Sequence, residues 1–158
     1  MNLEDLNPKK QKKLFFHNST FNEIVQIYKK KKLPNKILFN GPKGIGKATL
    51  TYHLVNYIFS KDEDNKYDLN NLMINSKNRS YNLVLNNSHP NFYLINLLED
   101  KKLIEISQIR KMINYANKSS FNNKERIIII DNVEKLNTNA LNALLKIIEE
   151  PNEKIFFF

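Results

Sequence analysis

The residues best placed to do chemistry lie in one short run, Gly41-Pro42-Lys43-Gly44-Ile45-Gly46-Lys47. Glycine, four variable residues, glycine and lysine begin the phosphate-loop pattern, in which backbone amides converge on a phosphate and the lysine reaches its terminal oxygens. A helix starting at the loop would add the partial positive charge of its amino terminus. The eighth position of the pattern supplies a hydroxyl to magnesium, and here it is Ala48. Thr49 follows, but one helical residue is a turn of about 100°, so its hydroxyl replaces the missing one only if the loop shifts by one position. Asp131 closes the run Ile127-Ile128-Ile129-Ile130 and is the second candidate, a carboxylate at a strand end that could hold magnesium through a bound nucleotide. Asn132 comes next, and an amide cannot act as a base; Glu134 is read as a solvated carboxylate. No residue is assigned a catalytic role. His17, His53 and His89 lack ligand spacing and are read as turn or surface histidines, so no protein metal site is expected.

Elements of a definite kind must hold these groups. Phe21, Ile24, Val25 and Tyr28 recur at helical spacing after a cap at Ser19 or Thr20, in a helix ending near Lys32 and Pro34. Ile37, Leu38 and Phe39 read as a short buried parallel strand leading into the glycine loop. A helix from Lys47 then carries Leu50, Leu54, Val55, Tyr57 and Ile58 and dissolves at Ser60. Residues 61–90 are rich in asparagine and charge and read as an insertion of short helices. A second strand is expected from Phe92 to Leu98, then a helix with Ile106, Ile109, Met112 and Ile113 that Ser107 helps to start. The four isoleucines suit a strand buried on both faces. Asn137 or Thr138 caps a helix presenting Leu141, Leu144, Leu145 and Ile148 on one face, Pro151 stops it, and a last strand starts at Ile155. Strands alternating with helices predict a three-layer α/β fold with a mainly parallel sheet.

Composition narrows the classes. At 158 residues the expectation is a single domain, residues 1–158, with residues 1–16 as a lead-in. The chain has no cysteine, which excludes disulfides, cysteine-bound zinc and a thiol nucleophile. Neither a signal peptide nor a stretch of about 20 apolar residues is visible, so a soluble, cytoplasmic protein is expected. The net charge of +9 admits a nucleic-acid partner, but abundant lysine, asparagine and isoleucine fit codon bias, and Lys29, Lys30, Lys31 and Lys32 fit a solvated helix end.

Several segments together resemble the clamp-loader group of AAA+ proteins, most closely delta-prime subunits of bacterial DNA polymerase III. Residues 37–50, ILFNGPKGIGKATL, look like the strand and loop of that group, including its Ala-Thr variant. Residues 139–151, NALNALLKIIEEP, are similar to the helix after the Walker B strand and are the most specific part. Ser88-His89-Pro90-Asn91 resembles the turn before the second strand, and the helix 106–116 fits in order and spacing. The resemblance covers about residue 17 to the last residue. It implies an AAA+ P-loop fold, with 41–49 as a degenerate Walker A loop and Asp131 as Walker B. It also implies a largely passive subunit of a hetero-pentameric ring that loads the sliding clamp at primer-template DNA, with ATP and magnesium bound weakly or not at all. The family often carries a four-cysteine zinc module where residues 62–88 lie; without cysteine no zinc is expected. The family's sensor segment and lid would follow Phe158, so the chain is read as a module truncated before its last strand, and aggregation-prone alone.

AAA+ ATPases usually carry a glutamate where this chain has Asn132, so two hydrolytic elements depart from the pattern. The alternative is an active motor of the gamma or tau type or another AAA+ ATPase working through Lys47 and Asp131. A P-loop kinase with residues 61–90 as a substrate lid is a third reading, disfavoured by the helix 139–151.

Overall fold

The computed structural model describes residues 7–118, 124–149 and 154–158. The chain divides into two compact units, Met1–Leu33 with Phe39–His89 and Pro34–Leu38 with Pro90–Phe158.

The first unit is built on two helices, α1 (Asn18–Lys29) and α2 (Lys47–Ser60), with a third, α3 (Arg79–Leu85), closing the asparagine-rich stretch. α1 starts two or three residues earlier than a cap at Ser19 or Thr20 would allow, because His17 occupies the cap position in left-handed backbone without a side-chain cap bond. Phe21 and Val25, four residues apart and so on one face, are fully buried. They meet Leu50 and Leu54 of α2 in a core completed by Leu14, Tyr67, Leu72, Ile74 and Tyr81. Residues 61–90 are therefore polar in composition but anchored by Tyr67, Leu72, Ile74, Tyr81 and Val84. Instead of several short helices they hold α3 and a turn at Asp68–Met73, whose backbones exchange hydrogen bonds. Asn78 starts α3 by accepting from Tyr81 N–H at 2.7 Å, and its buried amide donates to Glu63 Oε2 at 2.6 Å and to Asn65 O at 2.9 Å.

The second unit contains a parallel sheet of β1 (Phe92–Ile95), β2 (Arg126–Ile130) and β3 (Ile155–Phe157), in spatial order β1-β2-β3. Phe92 pairs with Ile127 and Ile95 with Ile130, while Arg126 pairs with Ile155 and Ile128 with Phe157. Alternation sends Ile128 toward the helices α4 (Ile106–Asn117) and α5 (Thr138–Glu149), where Ile104, Ile109, Met112, Ala140 and Leu144 surround it. Ile127 and Ile129, on the other side of β2, are buried too, as the isoleucine run predicts.

Four local expectations are corrected. Residues 37–39 are not a buried strand: Lys36 forms a single parallel bridge to Phe157, and Leu38 is 74% exposed. Phe157 donates to Asn35 O and accepts from Ile37 N–H, and this single rung is the pairing of the stretch among the described residues. The strand from Phe92 ends at Ile95, short of Leu98. α4 is capped by Glu105 and Gln108 in a reciprocal capping box, not by Ser107. On α5, Asn137 Oδ1 accepts from Ala140 N–H at 2.8 Å as expected. Its buried stripe, however, is Ala140 and Leu144, with Leu141 and Leu145 left 41% and 44% exposed. Leu141 and Leu145 each follow a buried residue by one position, about 100° round the helix and off the inner face. The stop at Pro151 lies outside the described residues.

Candidate phosphate-binding loop

Residues 41–46 link Asn40 to the start of α2, and their path depends on glycine. Gly44 has φ 85° and Gly46, the cap residue of α2, has φ 98°, values that side-chain-bearing residues rarely adopt. Lys47 is the first helical residue, so its side chain leans back toward the loop. Its ammonium donates to Gly41 O at 2.7 Å and to Pro42 O at 2.9 Å. Pro42, Lys43, Gly44 and Ile45 are exposed around it, and Gly46, Ala48 and Thr49 are half-buried. His17 holds the other end of the loop, with its Nε2 2.7 Å from Ile45 O.

A phosphate fits this arrangement by charge and by chemistry, because the loop offers exposed backbone, a helix amino terminus and a lysine ammonium. Magnesium fits less well. Ala48 carries only a methyl group, and the hydroxyl of Thr51, one helical turn after Lys47, already donates to Lys47 O at 3.0 Å. Among the described residues no cluster of three or more histidine, aspartate or glutamate side chains could hold a metal ion.

Asp131 belongs to the second unit. Its N–H donates to Ile95 O at 2.9 Å, which continues the β1–β2 pairing one residue past the strands and fixes the backbone from which the exposed carboxylate projects. Asn132 follows in left-handed conformation, φ 58°, and turns the chain into a 3-10 turn at Val133–Lys135 that leaves Glu134 in solvent. The reading of Glu134 as a solvated carboxylate holds.

The surface assignment of the histidines fails at His53, which is completely buried on α2. Nε2 lies 3.1 Å from Gln11 O, an acceptor, so the ring donates there; Nδ1 then accepts from Tyr67 OH at 2.7 Å. Burial pushes the imidazole pKa down to about 4, opposed by the bond to Gln11. Burial, with a further contribution from Asp68, raises the Tyr67 hydroxyl well above its ordinary value. His53 shares the spacing of Leu50, Leu54 and Tyr57, and that periodicity was the available signal. His89 stacks on Phe59 with ring centres 4.0 Å apart and lies 3.3 Å from Ser80 Oγ. Arg126 is a second residue that pattern did not single out. It is 4% exposed, donates from Nη1 to Tyr115 O at 2.9 Å and Ala116 O at 3.0 Å, and lies 4.9 Å from the Tyr115 ring centre. It thereby satisfies the carboxyl end of α4.

The profile of the family described as DNA polymerase III, delta subunit, matches residues 16–158. The chain belongs to that family. Its fold is accordingly the AAA+ P-loop fold, in agreement with the parallel sheet and its flanking helices. Among relatives, DNA polymerase III subunit delta' of Buchnera aphidicola subsp. Schizaphis graminum is 28% identical over 138 residues, covering 87% of this chain and 40% of the relative. The subunit of the same name from Buchnera aphidicola subsp. Acyrthosiphon pisum is 30% identical over 141 residues, with the same coverage. That of Pseudomonas aeruginosa is 25% identical over 115 residues, 73% of this chain and 33% of the relative. The chain thus spans about 40% of the length of the first two relatives. No helix among the described residues is long and apolar enough to cross a membrane.

Proposed function

We propose that the chain is the AAA+ P-loop domain, residues 1–158, of a delta-prime-like clamp-loader subunit that acts as a largely passive partner in loading the sliding clamp during DNA replication. The family match and the delta' names of its relatives support the subunit class. The observation that carries the passive role is the pair Ala48 and Asn132: one removes the hydroxyl that would join magnesium, the other removes the carboxylate that would activate water. Asn132 is also held in a left-handed turn that a glutamate would occupy only under strain.

The remaining elements support a phosphate-holding role. Gly41, Pro42, Lys43, Gly44, Ile45, Gly46 and Lys47 would hold the phosphates of ATP, with Ala48 and Thr49 completing the degenerate Walker A loop, and Asp131 is by resemblance the Walker B carboxylate for a nucleotide-bound magnesium. ATP when bound would supply charge and packing to the module, not turnover. The partners in this reading are the other subunits of a hetero-pentameric ring and, through that ring, the sliding clamp and primer-template DNA.

The test is titration calorimetry of magnesium-ATP on the whole protein, with a Lys47→Ala control and a steady-state hydrolysis assay. Weak or absent binding and no turnover are expected. Turnover that the Lys47→Ala change abolishes would make the protein a motor and sink the passive reading.

A further inference from the structure

The mechanism of the loop leaves one of its neighbours without a role. His17 precedes α1 in left-handed backbone, φ 65° and ψ 25°, a conformation that costs a side-chain-bearing residue of order 1 kcal/mol and persists only where other contacts enforce it. Those contacts are local. The His17 carbonyl accepts the N–H of Phe21 at 2.8 Å, which starts α1, and the buried Phe21 fixes that helix in the core. The His17 ring therefore leaves a rigid point. It reaches Ile45 O with Nε2 at 2.7 Å, and its Cδ2 and Nε2 lie 3.6 Å from where a side chain on Gly46 would begin. A carbonyl can only accept, so Nε2 carries the hydrogen.

The bonded group sits at a particular place in the loop. Ile45 C=O and Gly46 N–H belong to one planar trans peptide and point in opposite directions. Holding the carbonyl on the His17 side turns the Gly46 amide away from the ring, at the point where Gly46 O begins α2 by accepting from Leu50 N–H at 2.9 Å. Gly46, at φ 98°, has the freedom to flip this peptide, since glycine occupies both signs of φ with little preference. The bond to His17 removes that freedom. Lys47 secures the opposite end of the loop through Gly41 O and Pro42 O, so each end is fixed by a separate side chain.

We propose that His17 is a positioning residue of the phosphate loop, whose Nε2–H fixes the Ile45–Gly46 peptide so that the Gly46 amide is presented to an anionic phosphate oxygen. The proposal rests on the reading of residues 41–47 as an anion site, and it adds a residue from outside the loop to that site. It makes α1 part of the loop's support, since displacement of the helix start would release the peptide.

The experiment uses the whole protein, labelled with nitrogen-15, as wild type, His17→Ala, His17→Gln and Lys47→Ala. Glutamine can place an amide N–H near the position of Nε2, whereas alanine cannot. Two quantities are read: ATP affinity by calorimetry, and the amide resonances of Gly44 and Gly46 without ATP. The expected result is a shift or splitting of the Gly46 resonance and about fivefold weaker ATP binding in His17→Ala, the worth of one neutral hydrogen bond, with both restored in His17→Gln. Unchanged Gly46 resonances in His17→Ala overturn the proposal, as does a loss that His17→Gln fails to restore. Absence of ATP binding in wild type, which the passive role allows, ends the anion-site reading by itself and with it the claim that the Gly46 amide serves a phosphate. The Gly46 resonances then decide separately whether His17 sets the peptide.

Discussion

Acidification should destabilise the first unit through His53. Its neutral ring is sealed between Gln11 O and Tyr67 OH, with Phe21 and Tyr67 packed edge-on at ring-centre distances of 6.5 and 5.6 Å. Protonation would put a charge in that core and turn Nδ1 from an acceptor into a donor facing a hydroxyl that already donates. The folded pKa of about 4 lies below the ordinary 6.5, so between these values the unfolded chain binds more protons and stability must fall as pH falls. The contribution is intact above about pH 6.5. The loss reaches about 2 kcal/mol at pH 5 and about 3 kcal/mol at pH 4, at roughly 1.4 kcal/mol per pKa unit. Urea unfolding at pH 7 and pH 5, compared for wild type and His53→Gln, isolates the effect, because glutamine donates and accepts without titrating. The variant is expected to be less stable at pH 7, having lost the ring packing, but its drop between the two pH values should be smaller by about 2 kcal/mol. An equal drop in both proteins, or a His53 pKa measured by NMR at 6.5 or above, would refute the reasoning.

Arg126→Ala removes two charge-assisted bonds to the end of α4 and the cover of the Tyr115 ring, and is expected to cost about 3 kcal/mol, read as a lowered urea midpoint; Arg126→Lys should recover only part, since an ammonium lacks the planar fork. Asn132→Glu is expected to destabilise by about 1 kcal/mol and Asn132→Gly to be nearly neutral in the same assay, because the position has φ 58°.

Much of this architecture can be read from apolar spacing. The run Ile127-Ile128-Ile129-Ile130 announces a strand buried on both faces because no polar residue interrupts it, and Asn137 three residues before Ala140 announces a cap. The loop at 41–46 is legible because glycine at 44 and 46 supplies backbone angles that other residues avoid. At Leu38 and His53 the reading failed because the deciding partner was distant in sequence. Leu38 looks like a strand residue by composition, but the pairing of this stretch is one bridge from Lys36 to Phe157, and Leu38 is left exposed. His53 looks like a surface residue until Tyr67 and Gln11 are brought to its two nitrogens. Glu105 displaced Ser107 as the cap because Gln108 could answer it across one turn, a reciprocity that a single residue does not reveal. Arg126 opens an apolar strand, and only the chain's return from α4 explains why a charge belongs there. Asp131 was placed by the end of its strand, and Ala48 carries its meaning through side-chain chemistry alone.

The excursion of Pro34–Leu38 into the second unit has a consequence for the order in which the molecule is assembled. During synthesis from the amino terminus, the residues that build the first core, from Leu14 to Tyr81, emerge together and can collapse on one another early. Asn35, Lys36 and Ile37 emerge among them, yet their backbone partner is Phe157, more than a hundred residues later. This stretch must wait unpaired until the intervening residues up to Phe157 have been made. Closing so long a loop is slow and entropically costly. The bridge at Lys36 is therefore expected to form among the last contacts, locking together a sheet whose other strands have already met.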